Sequence, residues 1–272
     1  WSAHSPYAAA WPENVHIFSA QTPQAVPLPQ LGCVVYGAAF CDPACGTSPL
    51  KGFHAPEDGN ISLMVLHGEV GSGGNYGPLS KTDIADSGLT YLALGHVHSC
   101  SGLQQTGDTW WAYPGCPEGR GFDEAGDKGV LLGTINNGVV STQFVPLAAR
   151  RYLVKTVDVT GRAPEEALAD FLPQTPSPDL CRIVFTGACT GLPLPTLEAI
   201  AAPCYYSVNL QDRTHMPLDL WRRAKEDTLT GLFLRAMRQR LDSTQSEEGQ
   251  AQIQQAVRFG LAALEHREDP FG

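Results

Sequence analysis

Long apolar runs and a basic excess are both missing from this 272-residue sequence. No apolar stretch approaches the ~20 residues that a bilayer-spanning helix requires, so membrane insertion is not expected. The first residues, WSAHSPYAAAWPENVHIF, have no basic start, continuous apolar middle or small-residue cleavage site, which excludes reading them as a secretory signal. Nor do they begin with methionine, and the chain is expected to start partway through a longer gene product. Lysine and arginine number 18 against 28 acidic residues, a net charge of −10, far from the balance of a stand-alone nucleic-acid-binding domain. The deficit is uneven. Residues 1–150 carry 5 basic and 12 acidic side chains and residues 151–272 carry 13 and 16, so cations gather in the second half. Internal repeats and low-complexity tracts are absent as well, which excludes a repeat array.

What is present describes a globular protein. Hydrophobic residues make up 43% and charged residues 17% of a chain long enough for two domains, each with its own core. Eight cysteines would suffice for four bridges. Cys33, Cys181, Cys189 and Cys204, however, fall in or beside apolar strand-like runs, where a free thiol packs as a small hydrophobe. A reducing cytoplasm is the expected location. Cys41 and Cys45 have the spacing of a zinc half-site, but no matching second pair follows, and they read as loop cysteines.

From residue 31 to about 147, short apolar runs alternate with Gly/Pro/Asp-rich loops. LGCVVYGAAF, ISLMVLHG, LTYLALGH, TWWAYPG, GVLLGTI and GVVSTQFVPL read as strands and suggest layered sheets. PLSKTDIADSG reads as a short helix, with Ser80 as its N-cap and Gly88 as its stop. After FVPLAARR the pattern becomes strand, helix, strand, helix, strand: RYLVKTVDVTG, a helix over 163–172 with Pro164 in its first turn, LCRIVFTGA, LPTLEAIAA and CYYSVNLQD. One long helix is expected over 217–241, with an apolar stripe of Leu218, Trp221, Leu229, Leu232, Phe233 and Ala236. A last helix is expected over 246–265, with Ile253, Val257, Leu261 and Leu264 on one face.

Three histidines carry the chemistry. His67 follows four apolar residues and precedes Gly68, so its imidazole should emerge at the carboxyl end of a strand, the edge where open α/β sheets bind ligands. LALGHVHS ends in the same way, and strand alternation would turn His96 and His98 to one side. Three converging imidazoles suit a divalent transition metal, and a metal pair activates water for in-line displacement at phosphorus. The bland alternative for each histidine is a hydrogen bond in a strand-end turn.

LHGEV, LALGHVHS, YPGCPEGRGFDEAGDKGVLLGTI and FVPLAARRY together resemble the later part of calcineurin-like metallophosphoesterases, specifically the SbcD-type DNA repair exonuclease branch. The resemblance spans nearly the whole chain and weakens after about residue 150. It implies an α/β fold: a partial phosphoesterase β-sandwich with flanking helices over 1–149, a βαβαβ capping domain over 150–241 that presents DNA, and a helical tail over 242–272. It implies a pair of divalent ions, manganese in the nuclease branch, that hold a hydroxide for attack on a phosphodiester. His67 and His96 would bind the second ion and His98 the first. The family's Asp-x-His, Gly-Asp and Gly-Asn-His-Asp motifs, which supply the carboxylates and the catalytic histidine, do not occur here and are expected upstream of Trp1. His4 is then not catalytic. Without a bridging carboxylate two cations repel, so the three imidazoles should hold at most one ion, weakly, and the chain itself should hydrolyse little.

Among the remaining residues, Glu69 reads as a turn cap or a hydrogen-bond partner that steadies an imidazole. Arg120 would meet a phosphate and Asp123 would orient a histidine, or the two would form a loop salt bridge. Tyr113, Trp110 and Trp111 would stack on bases or enter the core. Arginines of the 217–241 helix would track a phosphate backbone or simply face solvent. Implied partners are DNA, an SMC-like ATPase of the SbcC type docked by the last helix, and a second copy of the chain. The alternatives are a phosphoesterase of small phosphodiesters and a non-catalytic interaction module of the same fold.

Overall fold

The computed structural model describes residues 4–42, 45–71 and 76–264, and within them the apolar runs become the strands of two compact units of mixed α/β structure. The first unit comprises Trp1–Arg120 and Asp127–Ala149, the second Gly121–Gly126 and Arg150–Gly272.

In the first unit β1 (Gln24–Leu28), β2 (Cys33–Gly37), β3 (Ile61–His67), β4 (Glu69–Val70), β5 (Pro78–Leu79), α1 (Lys81–Ala85), β6 (Tyr91–Gly95), β7 (Gln104–Thr106), β8 (Thr109–Ala112), β9 (Gly129–Asn136) and β10 (Val139–Pro146) follow in order. Six of them form one sheet in the order β1-β2-β3-β6-β8-β7. Its four central strands run parallel and its two edges antiparallel. The layered sheets expected from the sequence thus resolve into one mixed six-stranded sheet, a separate β9–β10 ribbon and the short parallel pair β4–β5. Asn137 (φ 50°) and Gly138 (φ 78°) explain the ribbon, since two left-handed residues form the tight turn that closes adjacent strands on each other.

Burial in β3 has period two: Ser62, Met64 and Leu66 are buried, whereas Val65 is 50% exposed. Met64 and Leu66 join Tyr36, Leu79, Ile84 and Leu92 in one core on that face. His67 therefore lies on the opposite, open face of the strand. The short helix α1 starts as the sequence indicates. Ser80 Oγ accepts the Asp83 amide at 2.9 Å and donates to the Asp83 carboxylate at 2.7 Å, and Gly88 supplies a left-handed turn after it.

The second unit is built from β11 (Tyr152–Asp158), α2 (Pro164–Ala169), β12 (Ser177–Thr186), α3 (Leu194–Ala201) and β13 (Tyr205–Asp212), followed by α4 (Leu229–Ser243) and α5 (Glu247–Leu264). The three strands are parallel in the order β11-β12-β13, with the helices as crossovers. Val157, Leu168, Ile183, Phe185 and Leu197 fill their core. The segment Gly121–Gly126 belongs to this unit: Phe122 packs edge-on against Tyr152 at 5.0 Å, beneath the Arg182 guanidinium.

The single helix expected over 217–241 is two elements. A 3-10 helix, Leu218–Lys225, stops at Glu226, and α4 starts afresh with Thr228 as N-cap, its hydroxyl accepting the Gly231 amide at 3.0 Å. The break resets the helical register. Leu229 (67%) and Leu232 (58%) point outward, and Leu234 and Met237 make the buried face instead. α5 matches its expected stripe, with Val257 and Leu261 packing on α4 residues. Arg258, almost fully buried, ties α5 to the end of β13 by pairing with the Asp212 carboxylate and donating to Thr214 Oγ1 at 2.6 Å.

All eight cysteines are free thiols, Cys33 and Cys181 buried, and Cys41 and Cys45 satisfied by loop carbonyls. Among the described residues no helix is long and apolar enough to cross a membrane.

Candidate metal centre

Strands β3 and β6 are parallel neighbours in a register that sets His67 beside Gly95. That pairing has a steric purpose: a Cβ at position 95 would sit 3.1 Å from His67 Nδ1, so glycine leaves the imidazole its room. The next residue, His96, adopts φ 104°, a torsion that non-glycine residues rarely hold and that ends the strand abruptly. The turn swings its ring back towards β3, and His96 Nδ1 stands 3.3 Å from His67 Nε2.

That bend also corrects the expectation of alternation. Because β6 ends at Gly95, His96 and His98 are not successive same-side positions of one strand. The three imidazoles do not meet around one shared point: among the described residues they form no set of ligand atoms all within 4.8 Å of one another. His67 and His96 are brought together, and His98 is set apart. It still lies near enough to His67 for its charge to be felt there.

Aromatic neighbours frame the pair. Phe40 meets His67 edge-on at 5.6 Å, and Tyr76 stacks on His96 at 5.9 Å. Burial holds the His67 imidazole below its ordinary pKa, and His96 and His98 push it in the same direction. Its neutral form, the one with a lone pair to give a metal, is thereby favoured. Two nitrogens bound to one ion at about 2.0–2.1 Å and a tetrahedral angle stand about 3.4 Å apart. The observed 3.3 Å suits neighbouring ligands of a single divalent cation. Among the described residues no carboxylate joins this pair to make three ligand atoms within 4.8 Å.

The loop after His67 is fixed by Tyr113, whose hydroxyl donates to the Gly68 carbonyl at 2.7 Å and accepts the Val70 amide at 3.1 Å. Of its two expected roles, stacking on a base or filling the core, the ring takes the second, being 4% exposed. Trp111 packs against the same core. His98 sits on a turn clamped from beneath: nearly buried Lys128 donates to its carbonyl at 2.8 Å, and Gly115 makes a close backbone approach. A ring nitrogen of His98 and the Cys116 sulfur lie within 4.8 Å, a softer pair of donors. Cys116 escaped the sequence reading because it reaches His98 from 18 residues away on another loop.

The other candidates are placed as follows. Glu69 is half-buried in β4, directly after the His67–Gly68 turn. Arg120 is exposed at the end of the first unit's longer segment, and Asp123 is exposed in the 3-10 turn Phe122–Glu124 of the second unit.

Comparison with known proteins fits this chemistry. No family model matches the chain. Over 156 residues it is 33% identical to an uncharacterized metallophosphoesterase, YhaO, of Bacillus subtilis (strain 168). The match covers 55% of this chain, which spans 38% of the relative's length. What the match shows is a likeness to a metallophosphoesterase over about half of the chain.

Proposed function

We propose that this chain belongs to a metal-dependent phosphodiesterase in which His67 and His96 share one divalent cation and His98 serves a second. The observation that carries this reading is the facing pair of ring nitrogens, 3.3 Å apart, at the carboxyl ends of two adjacent parallel strands. A cation bound there would supply Lewis acidity and a water acidic enough to attack phosphorus. The chain's own contribution is placement. Gly95 makes room for His67, the His96 torsion aims the second imidazole, Tyr76 and Phe40 limit how the rings turn, and Tyr113 holds the loop after His67. Glu69 would orient an imidazole and Arg120 would meet a substrate phosphate.

DNA as the phosphodiester and manganese as the ion follow from the SbcD-type resemblance. So do an ATPase of the SbcC type and a second copy of the chain as partners. With imidazoles alone around the His67–His96 position, the cation is held weakly and turnover by this stretch is slow.

The test is a manganese titration of the chain, read calorimetrically and by broadening of histidine resonances, alongside hydrolysis of bis-p-nitrophenyl phosphate and of a DNA oligonucleotide. Saturable binding that vanishes in both His67→Ala and His96→Ala is expected. An ion bound equally well after both substitutions sinks the proposal. Binding without any hydrolysis, in a longer protein that carries carboxylate ligands, would favour the non-catalytic module instead.

A further inference from the structure

The second unit contains a cavity of about 900 Å³ that owes nothing to His67, His96 or His98. It opens where all three parallel strands end: Val159–Arg162 follow β11, Ala188–Gly191 follow β12, and His215 follows β13. Open α/β sheets bind ligands just beyond that edge, commonly where the strand order reverses. The order β11-β12-β13 has no reversal, and the 3-10 helix Leu218–Lys225 creates the crevice instead by supplying an outer wall. The volume lies within the range of small-molecule sites, about 300–1,000 Å³.

The rim is tied together before any ligand arrives. His215 donates its amide to the Gly187 carbonyl at 2.9 Å and accepts the Cys189 amide at 2.9 Å. Thr160 Oγ1 accepts the Ala188 amide at 3.0 Å and donates to Asp158 at 2.7 Å, so the loops after β11, β12 and β13 are cross-linked. A pre-ordered rim lowers the entropic cost of binding.

Its charge is unlike that of the chain. In a protein of net charge −10, this cavity is lined among the described residues by Arg162, Arg222 and Arg223 against a single carboxylate, Asp219. Arg162 pairs with Asp170 and Arg223 with Glu226, both at the surface, where such pairs exchange readily. The Arg222 side chain makes no hydrogen bond or ion pair among the described residues and is exposed. Pro164, Pro217 and Leu220 give the same cavity an apolar wall.

We propose that this cavity binds a small organic phosphate of nucleoside-monophosphate size, its phosphate on Arg222 with Arg162 and Arg223 beside it and its organic body against Pro217 and Leu220. The inference does not rest on the metal centre, because every residue it uses lies at position 158 or later.

The experiment titrates AMP, with inorganic phosphate as a second arm, into the full chain in buffer containing EDTA, followed by calorimetry and amide chemical shifts. Saturable AMP binding is expected, with shifts at Thr160, Ala188 and His215. Arg222→Gln should weaken it about tenfold, the usual consequence of losing one charge-assisted contact. Arg162→Gln, a second variant should the first fail to fold, should weaken it similarly. Arg240→Gln, on the exposed side of α4, and His67→Ala should leave it unchanged. Inorganic phosphate binding more weakly than AMP at the same residues supports an organic phosphate, and equal affinity overturns the part assigned to the apolar wall. No saturation by about 10 mM, an affinity too weak to reflect a formed site, overturns the proposal. So does equal loss in Arg240→Gln, which would reveal charge attraction without a site.

Discussion

The two units end their parallel strands in comparable places and put opposite chemistry there. At the ends of β3 and β6 the first unit presents imidazoles, lone-pair donors suited to a cation. Beyond β11, β12 and β13 the second presents arginines, suited to an anion. Sheet topology provides a location, and side-chain identity decides what occupies it. Burial accounts for where each site lies. β3 is covered on one face, leaving His67 on an open one, whereas Ile183, Val184 and Phe185 of β12 are buried in succession on both faces. A strand covered on both sides can host a ligand only past its end.

The sharpest test of two separate cores is a cavity in one of them. Phe185→Ala, at a fully buried position, should cost about 3–5 kcal/mol, and Met64→Ala in the other core about 2–5 kcal/mol. Amide exchange should then accelerate in β11–β13 for the first variant and in β2, β3 and β6 for the second. Acceleration in both sets for either variant would merge the two cores into one cooperative structure. Next in size is metal affinity. His67→Ala should reduce manganese binding by more than the about 10–100-fold seen when only an outer partner of a ligand is lost, while Arg222→Gln leaves it intact.

A smaller effect marks the second unit through acid. Buried Asp179 accepts the Arg151 side chain and amide and the Ser177 hydroxyl, and the Arg151 hydrogen bonds hold its carboxyl down at about 2. Its folded value lies below the unfolded one of about 3.9, so its stabilisation is complete above that pH and is lost as pH falls towards the folded value. Asp179→Asn should cost about 1–3 kcal/mol at neutral pH and flatten the acid limb of the unfolding midpoint below about pH 4. The smallest expected change is in the first unit: Ser80→Ala removes the cap of α1 and should cost about 1 kcal/mol in a urea titration.

Much of this was legible in the sequence where local rules act alone. Apolar runs closed by glycine located β3 and β6, Ser80 announced α1, and alternating strand and helix signals gave the parallel order of the second unit. The failures share a cause, which is that a periodic pattern was carried through a point where the backbone breaks. At Glu226–Thr228 a fresh N-cap resets the helix, so the stripe through Leu229 and Leu232 faces solvent. At His96 the torsion turns the chain, so counting by twos no longer predicts where His98 points. Contacts such as Cys116 with His98, or Tyr113 beneath the His67 loop, join separate segments and leave no periodic trace.

The His96 torsion also makes the ligand separable from the scaffold. Glycine adopts that backbone angle without penalty, so His96→Gly would keep the bend and leave a ring-sized gap beside Tyr76. Free imidazole diffusing into that gap could then restore the missing donor, turning a permanent side chain into a titratable additive.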